Sequence, residues 1–138
     1  TSDSVSSFST FSGTSWTGVT RILAVKTGSA GQIALSAPLT LPVSASAPTG
    51  VFDMELKWML RPVGGTFADV ASPMPSDPSP SVGYDAPKYW KQNGAVWGNW
   101  TETGLTANAD YEVQLYARRT TGPARGLSLT GTASAVGS

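Results

Sequence analysis

Two stretches of the chain alternate between hydrophobic and polar residues with the period of a β-strand. In residues 52–60, one face of the predicted strand carries Phe52, Met54, Leu56, Trp58 and Leu60. In residues 110–119, the corresponding face carries Tyr111, Val113, Leu115 and Ala117, with Glu112 and Gln114 opposite. Alternation of this length predicts strands with one buried and one solvated side.

Shorter β-rich runs and turn residues fill most of the remaining chain. Residues 19–26 and 32–35 flank a turn at residues 27–31, a pattern that predicts a hairpin. Residues 62–65 form a second turn before a short returning strand at 66–70, and residues 126–133 predict the last strand. Four prolines between residues 73 and 80 exclude a helix or a central strand there. Without any helical period, the pattern predicts an all-β antiparallel sandwich.

Residues 1–14 are mostly serine and threonine and predict an arm or linker that precedes a β-sandwich domain at residues 15–138. Phe8 and Phe11 would pin such an arm to a neighbouring surface, and a frayed terminus is the alternative. The length of 138 residues suits one domain with a hydrophobic core.

Charge and composition narrow the classes of function. Nine basic residues balance nine acidic ones, and the one basic cluster, Arg118, Arg119 and Arg125, is small, so nucleic acid is not the expected partner. The sequence has no cysteine and no histidine, which removes thiolate nucleophiles, Cys/His zinc sites and histidine general bases. The sequence contains no run of about 18 apolar residues, so it predicts no membrane-spanning helix.

Paired carboxylates are the remaining candidates for catalysis. Asp53/Glu55 and Asp110/Glu112 are each two residues apart on a strand face predicted to be wet, so we expect solvated carboxylates there. No loop shows the ligand spacing of a calcium motif. We therefore expect no catalytic residue, no cofactor and no metal, and the chain is predicted not to be an enzyme.

Residues 105–117 resemble the end of a fibronectin type III domain. In that family a leucine precedes a tyrosine by six residues, and the tyrosine opens an alternating strand that ends in alanine; Leu105, Tyr111 and Ala117 match these positions, and Gly122 matches a later glycine. The resemblance implies a fibronectin type III or immunoglobulin-like sandwich, with the Tyr111 hydroxyl bonded to backbone a few residues upstream. Trp58 is then either the core tryptophan or part of a hairpin over residues 56–70.

The composition, rich in Ser, Thr, Gly and Ala and poor in charge, is similar to that of bacteriophage tail-tip and tail-fibre proteins. This likeness implies a structural or binding module of a virion, with other virion subunits or further copies of the chain as partners and a cell-surface glycan as a ligand. The alternative is a carbohydrate-binding or accessory module of a secreted bacterial enzyme or adhesin, located outside the cell or on its surface.

An aromatic cluster in residues 84–100 supplies the predicted binding residues, which are Tyr89, Trp90, Trp97 and Trp100. Indole and phenol rings stack on sugar rings and also anchor protein interfaces. Five tryptophans exceed the single one that such a core usually holds. The alternative is that one or two of these tryptophans fill the core or cover its edge.

Overall fold

In the computed structural model of the chain, residues 1–40, 51–70, 81–83, 100–121 and 128–138 are described. These residues form β-strands joined by turns and loops, and no helix occurs among them. The strands are β1 Ser2–Val5, β2 Thr17–Gly18, β3 Leu23–Lys26, β4 Ile33–Ser36, β5 Leu39–Thr40, β6 Val51–Pro62, β7 Ala68–Asp69, β8 Ser81–Gly83, β9 Trp100–Glu102, β10 Asp110–Thr121, β11 Thr130–Gly131 and β12 Ala133–Gly137. The prediction of an all-β chain is confirmed for the described residues.

The longer strands belong to two antiparallel sheets. The first sheet has the order β1-β12-β4-β9. The second has the order β2-β10-β6-β7, with β3 also paired to β10 and β8 also paired to β6. A short pair, β5 with β11, continues the β4–β12 pairing in the same register. The predicted sandwich is therefore present.

The pairing of these strands has a simple order when interrupted strands are counted as one. Counting β2 with β3, β4 with β5, β7 with β8, and β11 with β12 leaves eight strands. The first then pairs with the eighth, the second with the seventh, the third with the sixth and the fourth with the fifth. A long hairpin wrapped in this way is a jelly roll, an arrangement found in viral capsid and lectin domains.

This order differs from the one that the fibronectin type III resemblance implied. In the immunoglobulin-like arrangement the last strand lies beside the penultimate core strand, in the sheet opposite to the first strand. Here the last strand, β12, lies between β1 and β4, and β10 pairs with β2, β3 and β6 in the other sheet. The predicted hairpin around residues 27–31 also does not form, since β3 and β4 lie in different sheets.

The two alternating stretches supply the centre of the core. Leu56 and Trp58 of β6 are buried, and Trp58 has no solvent exposure, so this tryptophan is a core residue. Because β6 pairs with β7, Trp58 also belongs to the hairpin over residues 56–70, and both interpretations describe it. Tyr111, Val113, Leu115 and Ala117 of β10 are all buried. The opposing sheet contributes Ile33 and Leu35 of β4 and Ala133 and Ala135 of β12. The predicted inward faces are confirmed for the described side chains. The turn at residues 62–65 is also present, and it returns the chain to β7.

Tyr111 makes the hydrogen bond that the resemblance implied. The main-chain N–H of Thr106 donates to the Tyr111 hydroxyl at 2.9 Å, while the ring lies in the core with 7% of the residue exposed. The buried Thr27 hydroxyl donates to the Thr106 carbonyl at 2.6 Å and accepts from the Ala109 N–H at 3.0 Å. These bonds fix the turn that leads into β10, so Tyr111 is a structural residue.

Residues 1–14 are not a separate arm in this structure. β1 pairs with β12 over four residues, and Phe11 is buried. The Asp3 carboxylate accepts two hydrogen bonds from the Arg21 guanidinium, both at 2.8 Å. The same carboxylate accepts from the main-chain N–H of Ser4 and of Ala24. Within β1 only Val5 is buried, and hydrogen bonds of Asp3 hold the strand, which is why its serine-rich sequence does not predict one.

The Asp3–Arg21 pair makes stability depend on pH. The hydrogen bonds from Arg21, and then those from the Ala24 and Ser4 N–H groups, hold the pKa of the Asp3 carboxyl well below its ordinary value of 3.8. Because the folded-state pKa is lowered, the ionised carboxylate stabilises the fold fully above about pH 4, and this contribution declines as the pH falls further.

We expect Asp3→Asn to lower the free energy of unfolding at neutral pH by about 1 kcal/mol, because one ion pair and part of its hydrogen bonding are lost. The variant should also lose less stability than the parent chain between about pH 5 and pH 2. Urea unfolding followed by tryptophan fluorescence across this range measures both effects. Parallel pH profiles for parent and variant would contradict the assigned role of Asp3.

Candidate binding face

Three of the four predicted binding residues, Tyr89, Trp90 and Trp97, lie outside the described residues. In the chain they fall between the end of β8 at Gly83 and the start of β9 at Trp100. Gly83 pairs with Val51, close to where Thr121 pairs with Asp53. Gly83, the last residue of β8, therefore lies at the end of the sandwich where β10 finishes and β6 begins.

Trp100, the fourth predicted residue, is described, and it contacts the core. It pairs with the buried Leu35, is half-buried and packs against the hydrophobic core. Its indole N–H donates to the carboxylate of the buried Glu102 at 3.3 Å. This placement corresponds to the alternative in which a tryptophan covers the edge of the core, and we assign no binding role to Trp100.

The structure brings together a different set of aromatic residues, on the outer side of the second sheet. These side chains alternate with the core residues of β6 and β10, or lie beside them, and all are half-buried. We call this set the aromatic face; it consists of Trp16, Lys57, Met59, Arg61, Phe67, Glu112, Gln114, Tyr116 and Arg118.

Trp16 occupies one end of the aromatic face. The Lys57 ammonium and the Arg118 guanidinium each lie 4.4 Å from the centroid of its ring. Cations at this distance are attracted to the ring face of an indole. The main-chain N–H of Arg119 donates to the Gly13 carbonyl, and its side chain donates to the Ser12 carbonyl, so the loop that carries Trp16 is fixed to the end of β10.

Tyr116 and Gln114 lie in the middle of the aromatic face. The Tyr116 hydroxyl donates to Gln114 Oε1 at 3.1 Å, and Gln114 Nε2 donates to the Thr20 carbonyl at 2.8 Å. The amide reaches Thr20 across Gly18, where an added Cβ would lie 2.5 Å from Gln114 Nε2. Glycine at position 18 therefore leaves room for the bonded amide, and it places no side chain on the surface beside Tyr116.

An ion pair lies at the other end of the face. Arg61 Nε donates to Glu112 Oε1 at 2.9 Å, and the Arg61 guanidinium also lies 4.1 Å from the centroid of the Phe67 ring. About a quarter of each charged side chain is exposed. Glu112, one of the candidate carboxylates, is thus engaged by arginine, and its neighbour Asp110 is exposed.

The outer side of the first sheet is chemically different. Its side chains are small and uncharged; they are Ser2, Ser4, Ala34, Ser36, Thr101, Ser134 and Val136. The sandwich therefore presents two unlike outer surfaces, and large or charged side chains are concentrated on the aromatic face.

Part of the aromatic face was within reach of sequence reasoning. Tyr116 and Arg118 continue the outward positions of Glu112 and Gln114 along β10, so the alternation already places an aromatic ring on the solvated side. Trp16 gives no comparable signal, because it precedes a two-residue strand and belongs to no periodic run.

Within the described ranges, no group of three or more acidic, cysteine or histidine residues is placed to hold a metal ion. The same ranges contain no helix with the length and apolar character needed to cross a membrane. The class that the fold and this face define is an eight-stranded jelly-roll sandwich with a candidate binding surface.

Comparisons with known proteins agree with the fold and identify no sequence family. No family model matches the chain, and no curated protein sequence matches it. Among solved structures, VP2 of infectious bursal disease virus, in its subviral particle, is similar over 98% of this chain with a TM-score of 0.52 and 11% identity. The chain spans 32% of that VP2 chain, and the likeness shows a shared fold.

Two structures from Xyn10C of Paenibacillus barcinonensis are also similar, each with a TM-score of 0.38. The tandem CBM22-1–CBM22-2 domain is matched over 84% of this chain and 31% of its own length at 12% identity. The xylan-binding CBM22-1 domain is matched over 95% of this chain and 90% of its own length at 11% identity.

Proposed function

We propose that this chain is a non-enzymatic structural module of a virion, in a phage tail tip or fibre, which docks on a neighbouring virion subunit through the aromatic face. The observation that carries the proposal is the composition of that face. Six of its nine side chains are Trp, Tyr, Phe, Met or Arg, the residue types enriched in protein interfaces. The other outer surface, with small uncharged side chains, lacks these types.

The fold supports the virion assignment. The order of strand pairing is that of a jelly roll, which viral capsid domains use, and the shared fold with VP2 covers nearly the whole chain. Fold does not determine function, and we infer docking from the side chains of the aromatic face.

The packing of the aromatic face suits docking on a protein surface. Hydrogen bonds hold the central residues Tyr116 and Gln114, and an ion pair holds Arg61 and Glu112 at one end, so little side-chain freedom is lost when a partner binds. The guanidinium groups of Arg61 and Arg118 also lie against the rings of Phe67 and Trp16. A partner would therefore meet a preformed surface.

Catalysis is not part of the proposal. The chain has no histidine or cysteine, and the Glu112 carboxylate is engaged by Arg61. The aromatic face has no paired carboxylates that could share acid and base roles across a substrate.

The second candidate function is glycan binding by a secreted or cell-surface module. Tyr116 beside the Gln114 amide favours it, since a phenol ring stacks on a sugar and an amide bonds its hydroxyls. A glycan array probed with the purified chain separates the two functions. Selective binding to one class of sugar, lost in Tyr116→Ala, would favour the second candidate.

Sedimentation of particles from the source culture tests the proposal. An antibody raised against the purified chain should detect the protein in the particle band of a density gradient after washing at high salt. Detection only in the culture supernatant or in the cell envelope would contradict a virion role.

A further inference from the structure

Strand β1 closes a seam between the two sheets of the sandwich. On one side it forms a ladder with β12, from Ser2 opposite Val136 to Val5 opposite Ala133. On its other side it meets the free edge of β3 by hydrogen bonds that involve side chains. The N–H of Ala24 donates to the Asp3 carboxylate at 3.0 Å, and the N–H of Lys26 donates to the Thr1 hydroxyl at 2.8 Å.

The seam is specific for the sequence of β1. A carboxylate at position 3 is needed to accept from both Arg21 and Ala24, and a hydroxyl at position 1 is needed to accept from Lys26. Arg21 also donates to the Ser4 carbonyl at 2.8 Å, which fixes the strand along its length. A foreign strand without these groups would leave the N–H groups at the edge of β3 without acceptors, at a cost in free energy.

Polar contacts, rather than buried apolar side chains, fix β1 to the rest of the sandwich. Of its four residues only Val5 is buried, with 9% exposure. Segments with few buried apolar contacts open locally at lower free energy than the core strands. We therefore expect β1 to detach at a lower free energy than the core strands, while the core stays folded.

A short exposed connection, Ser6 and Ser7, follows β1. The chain is fixed again at Phe8, which packs against the core, at Ser9, whose N–H donates to the Val19 carbonyl at 2.8 Å, and at the buried Phe11. Movement of β1 about Ser6 and Ser7 breaks the hydrogen bond between the Ser6 and Thr132 hydroxyls and leaves the contacts of residues 8–11 intact.

We propose that β1 is exchanged between copies of this chain, so that the seam of one copy takes β1 of a second copy. The exchanged strand makes the same ladder with β12 and the same bonds to Arg21, Ala24 and Lys26, and its cost is chiefly the entropy of association. A high protein concentration offsets that cost. The exchange site is separate from the aromatic face, and the inference does not depend on the proposed function.

Because the natural chain has no cysteine, a disulfide can report the exchange directly. One population carries Ser4→Cys and a second carries Ser134→Cys, two positions that are directly opposite on β1 and β12. A disulfide between the populations then forms efficiently only where β1 of one copy lies on β12 of another. A control pairs Ser134→Cys with Ser29→Cys, an exposed position in the turn before β4.

After mixing at high concentration and oxidation, the Ser4→Cys and Ser134→Cys pair should give at least about fivefold more covalent dimer than the control pair. Asp3→Asn should speed dimer formation, and Tyr116→Ala should leave it unchanged, because the aromatic face takes no part. Size-exclusion chromatography of the cysteine-free chain should show a dimer that forms slowly and persists on dilution. A disulfide yield no higher than that of the control, together with a monomer at every concentration, would overturn the proposal.

Discussion

Replacing Tyr111 by alanine is expected to lower the free energy of unfolding by about 3 kcal/mol or more, because the change leaves a cavity in the core and removes a hydroxyl. The ring is buried on β10, and the hydroxyl is the acceptor for the Thr106 N–H at 2.9 Å. Without that acceptor the turn before β10 loses one of its fixed points. Equilibrium unfolding in guanidinium chloride, followed by tryptophan fluorescence, measures the change.

Tyr111→Phe is the matched control, since it keeps the ring and removes only the hydroxyl. It should cost about 1 kcal/mol, the usual size of one hydrogen bond. The difference between the two variants separates the packing contribution from the hydrogen bond. An alanine variant as stable as the parent chain would show that Tyr111 does not fill the core as described.

The second large effect is expected at the aromatic face. Tyr116→Ala should weaken docking on the neighbouring virion subunit by about 2 kcal/mol, roughly thirtyfold, as is typical of a central interface tyrosine. Cross-linking mass spectrometry of the intact particle identifies the neighbour, and biolayer interferometry with the purified partner then gives the affinity. Met59→Glu, which adds a charge near the centre of the face, should weaken docking at least as strongly.

Val136→Ala serves as the control for docking. Val136 is 47% exposed on the outer side of the first sheet, away from the aromatic face, so its replacement should leave docking unchanged. All three variants should unfold at similar denaturant concentrations, because each altered side chain lies outside the core. Equal affinities for Tyr116→Ala and Val136→Ala would remove the aromatic face from the interface.

The sequence predicted the strands of the core better than their arrangement. Alternation placed Leu56 and Trp58 inside β6 and Val113 and Leu115 inside β10, because a half-buried strand imposes this pattern directly. The motif around Tyr111 predicted its hydrogen bond. That motif is local, however, and it leaves open which strand lies beside β12, so it did not distinguish an immunoglobulin-like sandwich from a jelly roll.

The sequence also did not predict β1 or the aromatic face, because both depend on contacts between residues that are distant in the chain. β1 escaped prediction because Asp3 and Thr1 hold it through hydrogen bonds, which give no hydrophobic period. The aromatic face as a whole was not predicted, because Trp16 and Tyr116 are distant in sequence and come together only through the pairing of β2 with β10. A cluster of aromatic residues in sequence, such as that in residues 84–100, is easier to see than one assembled by a sheet.

Cryo-electron microscopy of the intact particle can show whether the aromatic face is an interface within a virion, as proposed. We expect density of a neighbouring subunit against Tyr116, Met59 and Trp16, with the small-residue side of the first sheet outside that contact. A particle map in which the aromatic face is open to solvent, or in which this domain is absent, would contradict it.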